Sequence, residues 1–368
     1  MAENKALPNP ESVIDVWQYL AGESHPILVY GMGNGADKLL SQFEKYSIPY
    51  ADFFASDGFV RGHSFHGKRV LSFSEVLERY GDFVIVVSFA SNKREVIDRI
   101  KELSATYDVI IPDMPVAGDA YFTSDFYREH YADFLEAYNS LADERSREVF
   151  AAAVRFKLTG RYSYLDISYS QKDEILSLID AKSVKSYVDA GAYNGDTVRE
   201  LLDFGARPDK VLAVEPDTKT YRRLLRYIDS EERVSIDAVN TALWSEENEL
   251  VFSGSGNRNS SLLNSSYQHT DVSVSASTLD SLTENFGAVD YVKYDVEGAE
   301  KQALLGSVNT LNTHRPRLLV SCYHRSEDLY ELVLLLKNKF SFYDIYLRKT
   351  ECFPAWELNI LAVPRSFK

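Results

Sequence analysis

The chain has 368 residues, enough for two domains of ordinary size, and its 45% hydrophobic and 26% charged residues are those of a folded globular protein rather than a disordered one. A net charge of −15 opposes both duplex nucleic acid and anionic lipid, each of which selects a positive surface, although backbone N–H groups at a helix N-terminus still allow an acidic chain to hold a phosphorylated ligand. Two cysteines, Cys322 and Cys352, read as reduced thiols. No apolar run approaches the ~20 residues of a membrane span, and the polar residues 1–10 lack a signal-peptide core. The expectation is a cytoplasmic protein with no nucleic-acid partner and no membrane insertion.

In chain order, residues 27–31 read Ile-Leu-Val-Tyr-Gly, a buried strand ending on a glycine, and a helical stretch continues to about Tyr46. Apolar runs at 50–55, 83–89 and 109–112 alternate with helix-like segments around 74–80 and 91–104. Alternation of this kind implies a parallel sheet with right-handed crossovers, here a small Rossmann-like unit over roughly 24–115. Its loop Gly31-Met-Gly-Asn-Gly35 is not a full dinucleotide fingerprint, because the third glycine comes too early. Asp57 stands where a ribose-binding acid could lie. Two readings stay open for this unit: a scaffolding or dimerising domain, which leaves a homodimer open, or a nucleotide or nucleotide-sugar site.

Between residues 119 and 180 aromatic and apolar residues recur at helical spacing, among them Phe126, Tyr127, Tyr131, Phe134, Phe150, Val154 and Leu158. The pattern predicts a helical connector with a core-facing stripe, packed between two sheets. A second alternating series begins at Lys185. Strands are expected at 186–190, 211–215, 234–239, 289–296 and 318–323, and helices at 196–204, 221–228 and 329–340. Two final strands, at 342–347 and 358–363, have only a loop between them, which predicts an antiparallel edge hairpin. The division is therefore 1–118, a small Rossmann-like α/β domain; 119–180, the helical connector; and 181–368, a second α/β domain whose mostly parallel sheet ends in that hairpin.

The segment Tyr187-Val-Asp-Ala-Gly-Ala-Tyr-Asn-Gly-Asp-Thr197 is the most informative in the chain. A strand ends at Asp189, and Gly191 and Gly195 come next, before a helix begins. Gly191 permits a tight turn without a Cβ clash, and Gly195 is expected to let a ligand approach the backbone. Asp196 and Thr197 suit the first turn of a helix, where free N–H groups need acceptors. Asp189 is a candidate for an ammonium group. Glu215 ends the next strand, in Val-Leu-Ala-Val-Glu-Pro, and an acid there can accept hydrogen bonds from both hydroxyls of a ribose. This geometry serves dinucleotides and S-adenosyl-L-methionine alike, so the motif by itself leaves an NAD-type oxidoreductase, a methyltransferase and a non-catalytic nucleotide-binding module open.

Five segments stand in order: Val188-Asp-Ala-Gly-Ala-Tyr-Asn-Gly-Asp-Thr197, Val214-Glu-Pro216, Thr278-Leu-Asp-Ser-Leu282, Val292-Lys-Tyr-Asp-Val-Glu-Gly-Ala-Glu300 and Ser321-Cys-Tyr-His324. Together they resemble the FkbM family of methyltransferases, strongly over about 185–325. The resemblance implies a class I methyltransferase fold and S-adenosyl-L-methionine as cofactor. It implies a cofactor site of Asp189, Gly191, Tyr193, Gly195, Thr197, Glu215, Pro216 and Asp295. The acceptor it implies is a hydroxyl on a saccharide, glycoconjugate or related natural product.

Methyl transfer is an in-line displacement, so alignment dominates and a hydroxyl nucleophile must lose its proton as the bond forms. Asp295 ends one strand and His324 the next, which places both side chains at the carboxyl edge of the sheet, where ligands of open α/β sheets bind. His324 is the expected base, with the ordinary imidazole pKa near ~6.5, and Asp295 its partner. Asp295, Glu297 and His324 are ligand types suited to Mg or Mn, but they form no tight ligand run in sequence, and no metal is expected. Glu297 and Glu300 read as first-turn acids of the following helix. The polar stretch 254–261 is a candidate lid, with Arg258, Ser260 and Ser261 as acceptor contacts.

Overall fold

The computed structural model describes residues 6–60, 62–253, 261–262 and 271–365. It is an α/β molecule with two main sheets. The N-terminal sheet has five parallel strands in the spatial order Leu71–Ser72, Asp52–Ala55, Ile27–Tyr30, Val84–Val87, Asp108–Ile110. Strands Ile27–Tyr30 and Val84–Val87 are buried throughout, as expected for central strands covered on both faces. The short edge strand Leu71–Ser72 has no periodic run long enough to announce it.

The helical connector forms as expected. Helices Ser124–Glu129, Tyr131–Ser140, Glu144–Thr159, Tyr162–Asp166 and Lys172–Leu178 occupy it. Helix Glu144–Thr159 starts at Asp143, which accepts from the Ser146 N–H, and stops at Gly160 in the left-handed conformation. It is apolar on more than one face because it serves two cores. Val149, Phe150, Val154 and Leu158 pack with the C-terminal sheet, while Phe156 packs with Leu28, Ile85 and Ile111 of the N-terminal one. The buried pair Lys157–Asp113, at 2.5 Å, ties the same helix to the N-terminal region.

The C-terminal sheet has seven strands in the order Ser235–Val239, Lys210–Val214, Ser186–Ala190, Tyr291–Tyr294, Arg317–Ser321, Leu358–Pro364, Tyr343–Lys349. The first five are parallel, and Leu358–Pro364 runs antiparallel to both its neighbours. The terminal hairpin therefore forms as predicted, with the last strand inserted on its inner side. This is the class I methyltransferase arrangement. A separate four-stranded sheet (Ala242–Leu243, Asp271–Ser277, Asn248–Ser253 and Ser261–Leu262), unanticipated from sequence, lies between the third and fourth strands in chain order. Among the described residues no helix is long and apolar enough to cross a membrane, and both cysteines are buried thiols outside any disulfide.

Candidate active site

The strand order reverses between Ser186–Ala190 and Tyr291–Tyr294, and a cavity of about 610 Å³ opens at the carboxyl ends of these strands. Gly191 sits at the reversal with φ +83°, and a Cβ there would come within 1.8 Å of the Asp295 carbonyl oxygen. Only glycine fits. Asp295 N–H in turn donates to the Ala190 carbonyl (3.0 Å), so the two strand ends close on each other. Gly195 does different work from that expected. The space it leaves is filled by the Tyr227 ring, which a Cβ would meet at 2.0 Å, and Gly195 is absent from the cavity wall. It serves helix packing rather than ligand approach.

Glu215 lies on the wall just past Lys210–Val214, and it is buried. Tyr193 N–H donates to its Oε2 (3.0 Å) and Asp217 N–H to its Oε1 (2.9 Å), so each oxygen keeps a lone pair for a ligand. Asn240 Nδ2 donates to the Glu215 and Pro216 carbonyls and holds the turn. Burial pushes the Glu215 carboxyl up to about 7. Tyr193, Pro216 and Thr197 also line the cavity. Asp189 does not. It is fully buried, receives the Thr197 hydroxyl, and lies 3.7 Å from Lys293 Nζ, so Thr197 and Lys293 stand at the wall that sequence assigned to Asp189.

Lys293 is the residue that sequence reasoning passed over. It is buried on the central strand between Asp189 and Asp295, with its Nζ 3.3 Å from Asp295 Oδ2. Burial alone would lower its pKa, but the two carboxylates more than offset that and hold it above the ordinary lysine value. A lysine inside an otherwise apolar strand was the available signal, because a charge is kept there only when it is paired.

Asp295 and His324 meet as expected, with Nε2 3.5 Å from Asp295 Oδ1. His324 is 1% exposed, and two further carboxylates face it: Glu297 Oε2 at 3.6 Å from Nε2 and Glu300 Oε1 at 3.0 Å from Nδ1. Burial would depress the imidazole, yet these acids raise it to about 10. The facing acids thus favour the imidazolium over the neutral imidazole, which counts against His324 as the expected base near 6.5 and turns attention to Asp295. For Asp295, burial favours the neutral form, and Lys293 and His324 outweigh it, so this carboxyl stays ionised below the ordinary range. Burial lifts Glu297 to about 8.

Glu297 lies outside the next helix and has φ +54°, a sparsely populated region for a non-glycine residue. Glu300 does open helix Glu300–Leu305, but it is fully buried and accepts from the Val296 N–H (2.8 Å) instead of facing solvent. Asp295, Glu300 and His324 offer ligand atoms within 4.8 Å of one another, a cluster that their spacing in sequence did not announce. Arg258 and Ser260 lie outside the described residues; Ser261 is described only as part of a two-residue strand, without its side chain.

Residues 189–346 match the model of the methyltransferase FkbM domain. The chain carries a methyltransferase FkbM domain. An FkbM methyltransferase from Methylobacillus flagellatus KT superposes with a TM-score of 0.68 at 19% identity, covering 98% of this chain and 95% of that one. The shared fold thus extends through the N-terminal sheet and the connector. Fibrillarin from Aeropyrum pernix, solved with natively bound S-adenosyl-L-methionine, matches at 14% identity over 50% of this chain and 68% of its own, with a TM-score of 0.33. A methyltransferase from Aquifex aeolicus gives 0.30 at 11% identity over 52% and 87%. Both likenesses are too loose to carry an argument. No curated protein matches the sequence.

Proposed function

We propose that the FkbM methyltransferase domain uses S-adenosyl-L-methionine to methylate a hydroxyl of a saccharide, glycoconjugate or related natural product. The observation that carries the cofactor is Glu215. Its carboxylate stands at the tip of the second strand, clamped by two backbone N–H groups, with a lone pair on each oxygen left for a ribose hydroxyl. Tyr193, Thr197 and Pro216 complete that end of the cavity, and the acids around it suit a ligand bearing an ammonium and a sulfonium. Bound S-adenosyl-L-methionine supplies a methyl group already activated by the positive sulfur.

The residues of the chain then have two tasks. Asp295, ionised and partly open to the cavity, accepts the proton of the acceptor hydroxyl. Lys293 and protonated His324 hold Asp295 in place and keep it ionised. The assignment of the base thus passes from His324 to Asp295. Calorimetry with S-adenosyl-L-methionine and with NAD tests the reading. Binding of the first alone is expected, and binding of NAD alone overturns it.

A further inference from the structure

The cavity extends well beyond Glu215. Its far wall is formed by the loop that joins the last two strands, with Thr350, Trp356 and Glu357, and by Ser91 and Asn92 of the N-terminal region. That loop is firmly seated. Ser91 N–H donates to the Phe353 carbonyl (2.9 Å) and Phe353 N–H to the Ser91 carbonyl (3.1 Å). Phe353 and Ala355 are fully buried in the core of the N-terminal sheet, with the Phe353 ring edge-on to Phe89. Glu351 receives Arg94 and Lys101. The loop thus commits its apolar residues to the N-terminal region and leaves Trp356 and Glu357 at the cavity.

The Trp356 indole is only partly buried and lines the cavity, with its Nε1 turned away from solvent and without a hydrogen-bond partner among the described residues. No ring among the described residues stacks on this indole. Glu357 lies close enough to Asp295 and Lys293 to feel both charges, so the far wall and the reacting end belong to one space. Seven carboxyl groups line the cavity against two lysines and one histidine among the described residues, and with Glu215 and Glu297 partly protonated the acids still outnumber the cations.

We propose that this seam between the N-terminal region and the hairpin loop is the acceptor seat, and that it takes a neutral or amino-substituted saccharide ring and rejects anionic or nucleotide-activated sugars. The inference rests on the methyltransferase reading above and adds the location and the charge selection. A pyranose presents an apolar C–H face to the partly exposed Trp356 indole. Glu357 and Asn92 are placed to accept or donate at neighbouring hydroxyls, or in the case of Glu357 to pair with an ammonium. A diphosphate or uronate would enter a cavity of its own sign.

The test uses the full chain saturated with S-adenosyl-L-homocysteine, on immobilised neutral, amino, uronic and nucleoside-diphosphate sugars. Wild type is expected to retain neutral or amino sugars. Trp356→Ala should weaken that retention about 10–100-fold, Trp356→Phe should lose less, and Asn92→Ala about 3–10-fold. Unchanged affinity for S-adenosyl-L-methionine certifies each variant as folded. If Trp356→Ala does not fold, Trp356→Phe and Asn92→Ala carry the test. Retention of uronic or nucleotide sugars over neutral ones, no retention of any neutral or amino sugar, or retention indifferent to the folded variants each overturns the seat while the methyltransferase reading stands. If wild type binds no S-adenosyl-L-methionine, it is that underlying reading which fails.

Discussion

The two sheets of this molecule share one winding and differ in the residues at the ends of their strands. The N-terminal sheet and the first five strands of the C-terminal sheet have the same spatial order, third, second, first, fourth, fifth. Each has a glycine after its first strand pressed against the segment after its fourth. Gly191 meets Asp295, and Gly31 meets Ser88 and Phe89. Beyond that point they part. After the fourth C-terminal strand comes Asp-Val-Glu, which lines the main cavity. After the fourth N-terminal strand comes Ser-Phe-Ala, whose Phe89 packs on Tyr30 and on Phe353 from the hairpin loop. The acids after the second strand diverge likewise. Glu215 faces the main cavity, whereas Asp57, whose oxygens accept from the Phe73 N–H and the Ser74 hydroxyl, stands beside a smaller cavity of about 300 Å³. Winding sets where a ligand could bind; the few side chains at the strand ends decide whether one does. We read the N-terminal sheet as a scaffold whose fourth-strand end is covered by the hairpin loop.

The sharpest test of the contrast is substitution at the two fourth-strand ends. Asp295→Asn should lower turnover by ~10²–10⁴-fold, the usual contribution of a general base, while Ser88→Ala leaves it unchanged. Steady-state rates with an accepted sugar decide it, and a rapid Asp295→Asn enzyme would remove Asp295 from the proton path. The second-strand acids give the next effect. Glu215→Ala should weaken S-adenosyl-L-methionine binding by ~1.5–3 kcal/mol, the loss expected for hydrogen bonds to a charged acceptor, and Asp57→Ala should not move it. Calorimetry reads both, and equal losses would erase the distinction between the sheets.

The pH dependence arises from the same groups. For S-adenosyl-L-methionine, kcat/KM should fall as pH drops through about 7, where Glu215 takes a proton and loses an acceptor. Glu215→Gln should abolish that limb. His324→Gln should retain it, and by removing a positive charge it should raise the Asp295 pKa. Stability should move the other way. Glu215, Glu297 and His324 all have raised folded-state pKa values, so their contribution is present below the unfolded values and is lost as pH rises through about 7, 8 and 10. Chemical denaturation at pH 6 and pH 9.5 should show the lower pH to be the more stable.

The smallest effect concerns autonomy. Phe156 of the connector and Phe353 of the hairpin loop complete the N-terminal core, so heating should give one calorimetric transition rather than two. Two separated transitions would restore the N-terminal sheet as an independent domain and would weaken the boundary-spanning seat with it.

Sequence by itself determined the two alternating series, the aromatic connector, the closing hairpin, and the positions of Gly191, Glu215, Asp295 and His324 at strand ends. These are local matters, since periodicity marks a strand, and a glycine or acid at its tip is placed by the strand's own length. It could not assign work to Gly195, whose missing Cβ makes room for a ring 32 residues away in the chain, Tyr227. Nor could it show that Lys293 stands where Asp189 was expected, or that the four-stranded sheet forms at all. The surroundings of His324 were the least legible feature. A pKa depends on burial and on every neighbouring charge, and the three acids that face this imidazole meet it only when two strands and the start of helix Glu300–Leu305 come together. Trp356, Ser91 and Asn92 share a wall for the same reason, because only the folded chain brings residues more than two hundred positions apart to one cavity.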